Sequence, residues 1–160
     1  HVVAMAPERV GHTRIKGKLY LALSAAVVAA GLPCEVLVDR PTIEVGESDY
    51  EPDVILRCSP TPLSGDSLSV PDPTVLVEVL SPTTRRIDVS RKLADYFRIP
   101  SVQHYVILFA DRVQAVHHRR MDDRIETRII ADGNLVLDPP GLVVELADFY
   151  SDNGSSVARN

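Results

Sequence analysis

The sequence predicts an α/β (α+β) domain in which a helix-and-strand core carries an antiparallel β extension. Three features predict it: a long helical stripe near the start, two unbroken apolar runs at 75–80 and 104–109, and short β-rich runs separated by turn residues after position 110.

The first helix covers residues 8–30. Ile15, Leu19, Ala22, Leu23 and Ala26 recur at helical spacing, and Gly31 followed by Pro33 ends the run. Residues 34–39 and 42–45 are short β-rich runs around Pro41, read as an extended pair or one bent strand. Residues 52–58 form a strand with Asp53 at its mouth, and Pro60, Pro62, Gly65, Pro71 and Pro73 make a loop of residues 59–73. Val75 to Leu80 is apolar on both faces except at Glu78, the pattern of a strand in the middle of a covered sheet. A second helix spans 87–98, with Val89, Leu93, Tyr96 and Phe97 on one stripe and Pro100 beyond it. Residues 104–109 read as another buried strand. Residues 113–118, 125–130 and 135–137 read as an antiparallel set, with Asp132-Gly133-Asn134 as a hairpin turn.

At 160 residues the chain suits one domain, placed at 1–150, followed by a loose polar tail at 151–160. Its 45% hydrophobic and 24% charged content excludes a disordered chain. The longest apolar stretch, 19–30, is alanine-rich and broken by Ser24, short of the ~20 strongly apolar residues of a membrane span. A net charge of -5 argues against a general nucleic-acid coat, whose affinity comes from neutralising phosphates. It leaves a metal-dependent nuclease open, because carboxylates gathered for a cation add negative charge locally. With two cysteines and no signal peptide the expected compartment is a reducing cytoplasm, with Cys58 a small buried thiol. The chain opens at His1 and not at methionine, so the missing signal carries little weight.

Glu78 is the foremost chemical clue. A carboxylate between Val77 and Val79 is costly to bury unless it is paired, hydrogen-bonded or bound to metal. It shares a strand face with Leu76 and Leu80, so it is not the polar half of an alternating strand. Asp53, opening a neighbouring apolar strand after Pro52, is its natural partner. Two such carboxylates supply the hard oxygen ligands that magnesium and manganese prefer. A salt bridge from Glu78 to an arginine, or a place at the sheet's rim, is the structural alternative. If the two carboxylates lie bare beside each other, neutralising either one should stabilise the metal-free protein.

The segments Glu51-Pro-Asp-Val-Ile-Leu-Arg-Cys58 and Val75-Leu-Val-Glu-Val-Leu-Ser-Pro82, then Asp88 with Lys92 and Tyr96, resemble the Uma-two family of bacterial restriction-endonuclease-like proteins. The resemblance reaches back to Met5-Ala-Pro7 and His12 and forward through His104 to Leu108. It implies a restriction-endonuclease-like core of helix, three strands, helix and strand in a mixed sheet, with Asp53 on the second core strand and Glu78 on the third. It also implies a lysine two residues after the glutamate, where this chain has Leu80. A relocated cation is then required, and Lys92 is the candidate. Lys92 either reaches over the sheet or pairs with Asp88, four residues earlier on the same helix face.

The remaining candidates are weaker. His12 matches a family position and either helps position a ligand or packs at the helix start. Arg85 and Arg86 lie just past the glutamate strand, placed to meet phosphate or simply solvated. His117 and His118 are adjacent on a strand, point to opposite faces and make a poor chelating pair.

The expected function is therefore metal-dependent hydrolysis of DNA phosphodiester bonds. Asp53, Glu78 and the Val79 carbonyl would bind Mg2+ (or Mn2+), with Lys92 assisting. A homodimer is expected because cleaving both strands calls for two sites. Two rival readings keep the fold without the chemistry. One is a DNA-binding or regulatory module, which Leu80 and the acidic charge favour. The other is a structural dimer joined through the β extension.

Overall fold

The computed structural model describes residues 9–39, 41–81 and 86–150, the side chains of 86–88 apart. Helix α1 spans Val10–Ala30, and Ile15, Leu19, Leu23 and Val27 form its buried stripe at a spacing of four. It stops at Gly31, whose φ of 62° is left-handed and easiest for glycine, and whose N–H returns to the carbonyls of Val27 and Val28.

Strands β1 (Glu35–Val38), β2 (Ile43–Val45), β3 (Ser48–Tyr50), β4 (Val54–Arg57) and β5 (Val75–Leu80) come next. Helix α2 (Arg86–Tyr96) leads to β6 (His104–Phe109), then β7 (Ala115–Arg120), β8 (Ile125–Ile130), β9 (Asn134–Leu137), β10 (Leu142–Glu145) and a short 3-10 turn at Leu146–Phe149. Six strands make one sheet in the order β1-β4-β5-β6-β7-β8. β5 and β6 are parallel and every other neighbouring pair is antiparallel. The one parallel pair is the one joined through α2, because parallel neighbours need a crossover.

The sheet is covered on both faces. Ile15, Leu19 and Leu23 of α1 pack on Val54, Leu56, Val77, Val79, Val106 and Leu108. Tyr96 and Phe97, at the end of α2, pack on Ile55, Leu76, Tyr105 and Ile107. This is the helix, three strands, helix, strand core with a mixed sheet, and β7–β8 is its antiparallel extension. None of the helices described is long and apolar enough to cross a membrane.

Three details differ from the sequence reading. The runs around Pro41 are neither a pair nor one bent strand: β1 pairs with β4, and β2 with β3, a strand whose polar Ser48 and Asp49 hid it. β9 does not extend the β7–β8 hairpin but pairs with the unforeseen β10. The cause is apolar alternation. Leu135, Leu137, Leu142 and Val144 point into the α1 core, while Val136 and Val143 stay exposed. Cys58 is no free thiol, since it is bonded to Cys34. The β1–β4 register pairs Glu35 with Arg57, so the next residues outward, Cys34 and Cys58, face each other with Cα atoms 4.1 Å apart. A disulfide removes the support that cysteine usage lent to a reducing compartment. The segment 151–160 lies outside the described residues.

Two sets of polar contacts tie the extension to the core. Arg120 of β7 donates to the carbonyls of Val102, Phe97 and Ile99 at 2.7–3.0 Å, capping the end of α2 and the loop after it. His104 Nε2 donates to the Pro139 carbonyl at 2.7 Å, which leaves its Nδ1 to accept from His117 Nε2 at 2.8 Å. Burial lowers both imidazoles to about 4, so they are neutral at pH 7. The unfolded chain, with ordinary histidines near 6.5, binds more protons between those values. Stability from this pair is thus complete above pH 6.5 and falls as the pH drops from 6.5 to 4, by on the order of 3 kcal/mol for the first histidine. Urea midpoints measured across that range should fall in wild type and flatten in His104→Phe; a flat wild-type profile contradicts the assignment.

Candidate active site

Asp53 follows Pro52 at the mouth of β4. The β4–β5 register sets Val54 against Val77, so one step outward Asp53 meets the Glu78 end of β5. Its Oδ2 accepts the Val79 N–H at 2.8 Å. Two side chains from α1 lie beside it: Lys16 Nζ at 3.5 Å from Oδ1 and His12 Nε2 at 3.5 Å from Oδ2. His12 and Lys16 are four residues apart, hence on one helix face. His12 Nε2 also donates to the Val79 carbonyl at 2.8 Å, and Lys16 reaches Asp39 at 2.8 Å. Burial pushes the Asp53 carboxyl up, but hydrogen bonds from His12 and Val79 and the charges of His12 and Lys16 outweigh it. The net result lies below the ordinary carboxylate range.

Glu78 is almost fully buried, 3% exposed, on the α2 face of the sheet. Lys92 Nζ donates to Oε1 at 2.8 Å, Tyr96 to the same oxygen at 3.2 Å, and Tyr105 to Oε2 at 2.5 Å. Burial and the Glu78 charge drive both tyrosine pKa values up, so both phenols remain donors. Tyr105 stands edge-on to Tyr96, with centroids 5.0 Å apart, and Tyr96 edge-on to Tyr50 at 5.3 Å. The Tyr50 hydroxyl donates to Asp95 on α2.

A family model described as "Putative restriction endonuclease", Uma2, matches residues 1–148. The chain belongs to the Uma2 family. The crystal structure of a "putative nuclease belonging to DUF820" from Anabaena variabilis ATCC 29413 superposes with a TM-score of 0.74 at 14% identity, over 92% of this chain and 84% of that one. That likeness establishes the fold. No curated protein matches.

Within this family frame, Asp53, the Val79 backbone, His12 and Lys16 gather at one end of β5, with the Glu78, Lys92, Tyr96 and Tyr105 cluster next to it. Lys92 turns inward over the sheet to Glu78. His12 neither caps α1 nor packs passively, since it holds the Val79 carbonyl. Arg85 lies outside the described residues, as does the side chain of Arg86, the first residue of α2. His117 and His118 face opposite sides of β7: one meets His104 and the other stacks on Tyr105. Sequence reasoning missed Lys16 and Tyr105, and placed Tyr96 on the α2 stripe and in the family motif without giving it a role at Glu78. The available signals were the spacing of four from His12 to Lys16 and from Lys92 to Tyr96.

Among the described residues no group of three or more His, Cys, Asp or Glu side chains gathers around a common point. The donors on offer are two carboxylates and one carbonyl, all hard oxygen, which suits Mg2+ or Mn2+ completed by water. A carboxylate has about four acceptor directions, and three of those on Glu78 are taken.

The expected repulsion between bare carboxylates is corrected by this geometry. Each has its own cation, and Asp53 titrates low, whereas a repelled carboxylate titrates high. Glu78→Gln should therefore destabilise the metal-free protein by about 2–4 kcal/mol, by leaving Lys92 without its counter-charge. Asp53, with its folded pKa below the unfolded value of ~3.9, contributes stability above that pH and loses it as the pH falls through the folded pKa. Asp53→Asn should shallow that acid limb. Denaturant titrations of both variants from pH 2.5 to pH 7 check the two outcomes, and a more stable Glu78→Gln protein would restore the repulsion argument.

Proposed function

We propose that this protein is a metal-dependent endonuclease hydrolysing DNA phosphodiester bonds as a homodimer. Asp53, Glu78 and the Val79 carbonyl are the ligands of Mg2+ or Mn2+, and Lys92 is the relocated catalytic lysine. The observation that carries the proposal is the 2.8 Å contact of Lys92 Nζ with Glu78 Oε1, on a strand whose expected lysine position is Leu80.

Position 80 shares the Glu78 face of β5, and α2 packs on that same face, so a lysine from the helix reaches the region a lysine at 80 would occupy. A bound divalent cation supplies Lewis-acid polarisation of the scissile phosphate. An ammonium has three donors; Lys92 commits one to Glu78 and has others to offer a phosphate oxygen. The Glu78 contact holds that charge in place before substrate arrives, the arrangement that makes electrostatic stabilisation effective. His12 and Lys16 orient Asp53, and the Lys16 ammonium offsets its charge.

A second reading, a catalytically silent DNA-binding or regulatory module, is favoured by the three hydrogen bonds from Lys92, Tyr96 and Tyr105 that already occupy Glu78. Incubation of supercoiled plasmid with the protein and Mg2+ or Mn2+ separates the two. The nuclease nicks or linearises DNA, and Lys92→Met lowers the rate by on the order of 10²–10³. Mn2+ should also raise the wild-type melting temperature and leave Asp53→Asn unmoved. DNA retained without cleavage, at any metal concentration, favours the silent module.

A further inference from the structure

The sheet ends, among the described residues, at β8, a regular six-residue strand whose outer edge faces no other strand. Edges of this kind are commonly blunted by lysine, proline or a bulge. β8 has none of these: its residues are Ile125, Glu126, Thr127, Arg128, Ile129 and Ile130, paired without interruption to β7. Ile129 is 68% exposed and Ile125 39%.

The hydrogen-bond phase of β8 is set by its neighbours. Met121 N–H donates to the Arg124 carbonyl, and Arg120 N–H, on the other side of β7, donates to Gln103. Antiparallel pairs alternate between bonded and unbonded. Both contacts therefore place the bonded β7–β8 pairs at Arg119–Glu126, His117–Arg128 and Ala115–Ile130. The backbone N–H and C=O groups of Ile125, Thr127 and Ile129 consequently point outward, away from β7.

We infer that β8 is the surface on which a second copy of this chain docks, antiparallel and two-fold symmetric, with Thr127 opposite its own copy. The phase restricts the pairing to outward residues, and centring on Thr127 overlaps the most strand. That register pairs Ile125 with the partner's Ile129 twice and forms about six backbone hydrogen bonds. It also sets Glu126 opposite the partner's Arg128 on the other face, twice. Register, apolar pairing and charge pairing thus agree on one arrangement. Within a single chain Glu126 and Arg128 are 2.9 Å apart, so each already points toward the axis region where its new partner arrives. This deepens the homodimer of the proposed function by giving its interface, and it is independent of the metal chemistry.

The test is solution mass by analytical ultracentrifugation, without metal or DNA. Wild type should sediment at twice the chain mass. Glu126→Arg and Arg128→Glu each place like charges across the axis and should sediment at the single-chain mass. Their equimolar mixture should return to twice the chain mass, because each reversal complements the other across the interface but not within a chain. Thr127→Cys should form an interchain disulfide under mild oxidation, since bonded antiparallel pairs hold Cα atoms about 5.5 Å apart. A monomeric wild type, a dimer that survives both reversals, a mixture that stays monomeric, or a Thr127→Cys protein that fails to cross-link overturns the inference. A monomeric wild type would also remove the homodimer from the proposed function, but none of these outcomes bears on plasmid cleavage, so the interface and the hydrolytic reading fail separately.

Discussion

The constraint on which this structure turns is a carboxylate placed where a sheet is covered on both faces. Glu78 cannot reach bulk water, and an ion left bare at that depth costs several kcal/mol. Three side chains on that face answer it. Lys92 and Tyr96, one helical turn apart on α2, converge on Oε1, and Tyr105 from the parallel neighbour β6 takes Oε2. These bonds set both the rotation of α2 about its axis and its height over the sheet. The tyrosines do double duty, as donors at their tips and as the apolar filling between α2 and the sheet, packed edge to face as far as Tyr50. A leucine at 78 would pack well there. An ion cluster in its place therefore adds nothing to packing that an apolar side chain would not supply.

β5 also organises the second half of the site. Its alternation sends Val77 and Val79 into the α1 core and Glu78 into the α2 side, so each helix addresses a different set of atoms on one strand. From α1 come His12 and Lys16, which meet the Val79 carbonyl and Asp53. From α2 comes Lys92. Both backbone groups of Val79 are held, its N–H by Asp53 and its oxygen by His12, so this end of the strand is fixed by side chains where its ladder with β4 has run out.

The features legible in the sequence were those that local pattern controls. The α1 stripe, the doubly apolar β5 and β6, and the β7–β8 hairpin arise from periodicities of 3.6 and 2, and the structure has them close to the expected bounds. Glu78 was visible because a charge in an apolar run violates the pattern around it, and Asp53 because it opens the neighbouring apolar strand and so offers Glu78 a partner. Features that depend on a distant partner were not visible. Nothing within residues 34–58 says that β1 skips β2 and β3 to pair with β4, and the Cys34–Cys58 bond is a consequence of that pairing. Tyr105 reads as one more apolar residue of a buried strand until Glu78 is seen beside it. Likewise, β10 became recognisable only once α1 offered Leu142 and Val144 a surface to cover.

Edge pairing through β8 also bears on why two copies would associate. The requirement of two sites to cut both DNA strands suggested a dimer, but this geometry does not bring the sites together. From β5 to its copy there are seven strand steps, which at about 4.8 Å each separate the two Glu78 positions by roughly 34 Å. Over the same steps a sheet twist of about 20° per strand accumulates to roughly 140°, so the two Glu78 faces turn largely away from each other. Such a dimer presents its sites to different stretches of DNA, or to different molecules. The association is better understood through β8 itself, since an exposed, regular edge with two uncovered isoleucines invites indiscriminate strand addition. Pairing it with its own copy, in the one register where phase, charge and apolar contact agree, closes that edge. On these two proposals, dimer formation and phosphodiester chemistry would be separate properties of one sheet: the first would belong to its last strand, the second to its centre.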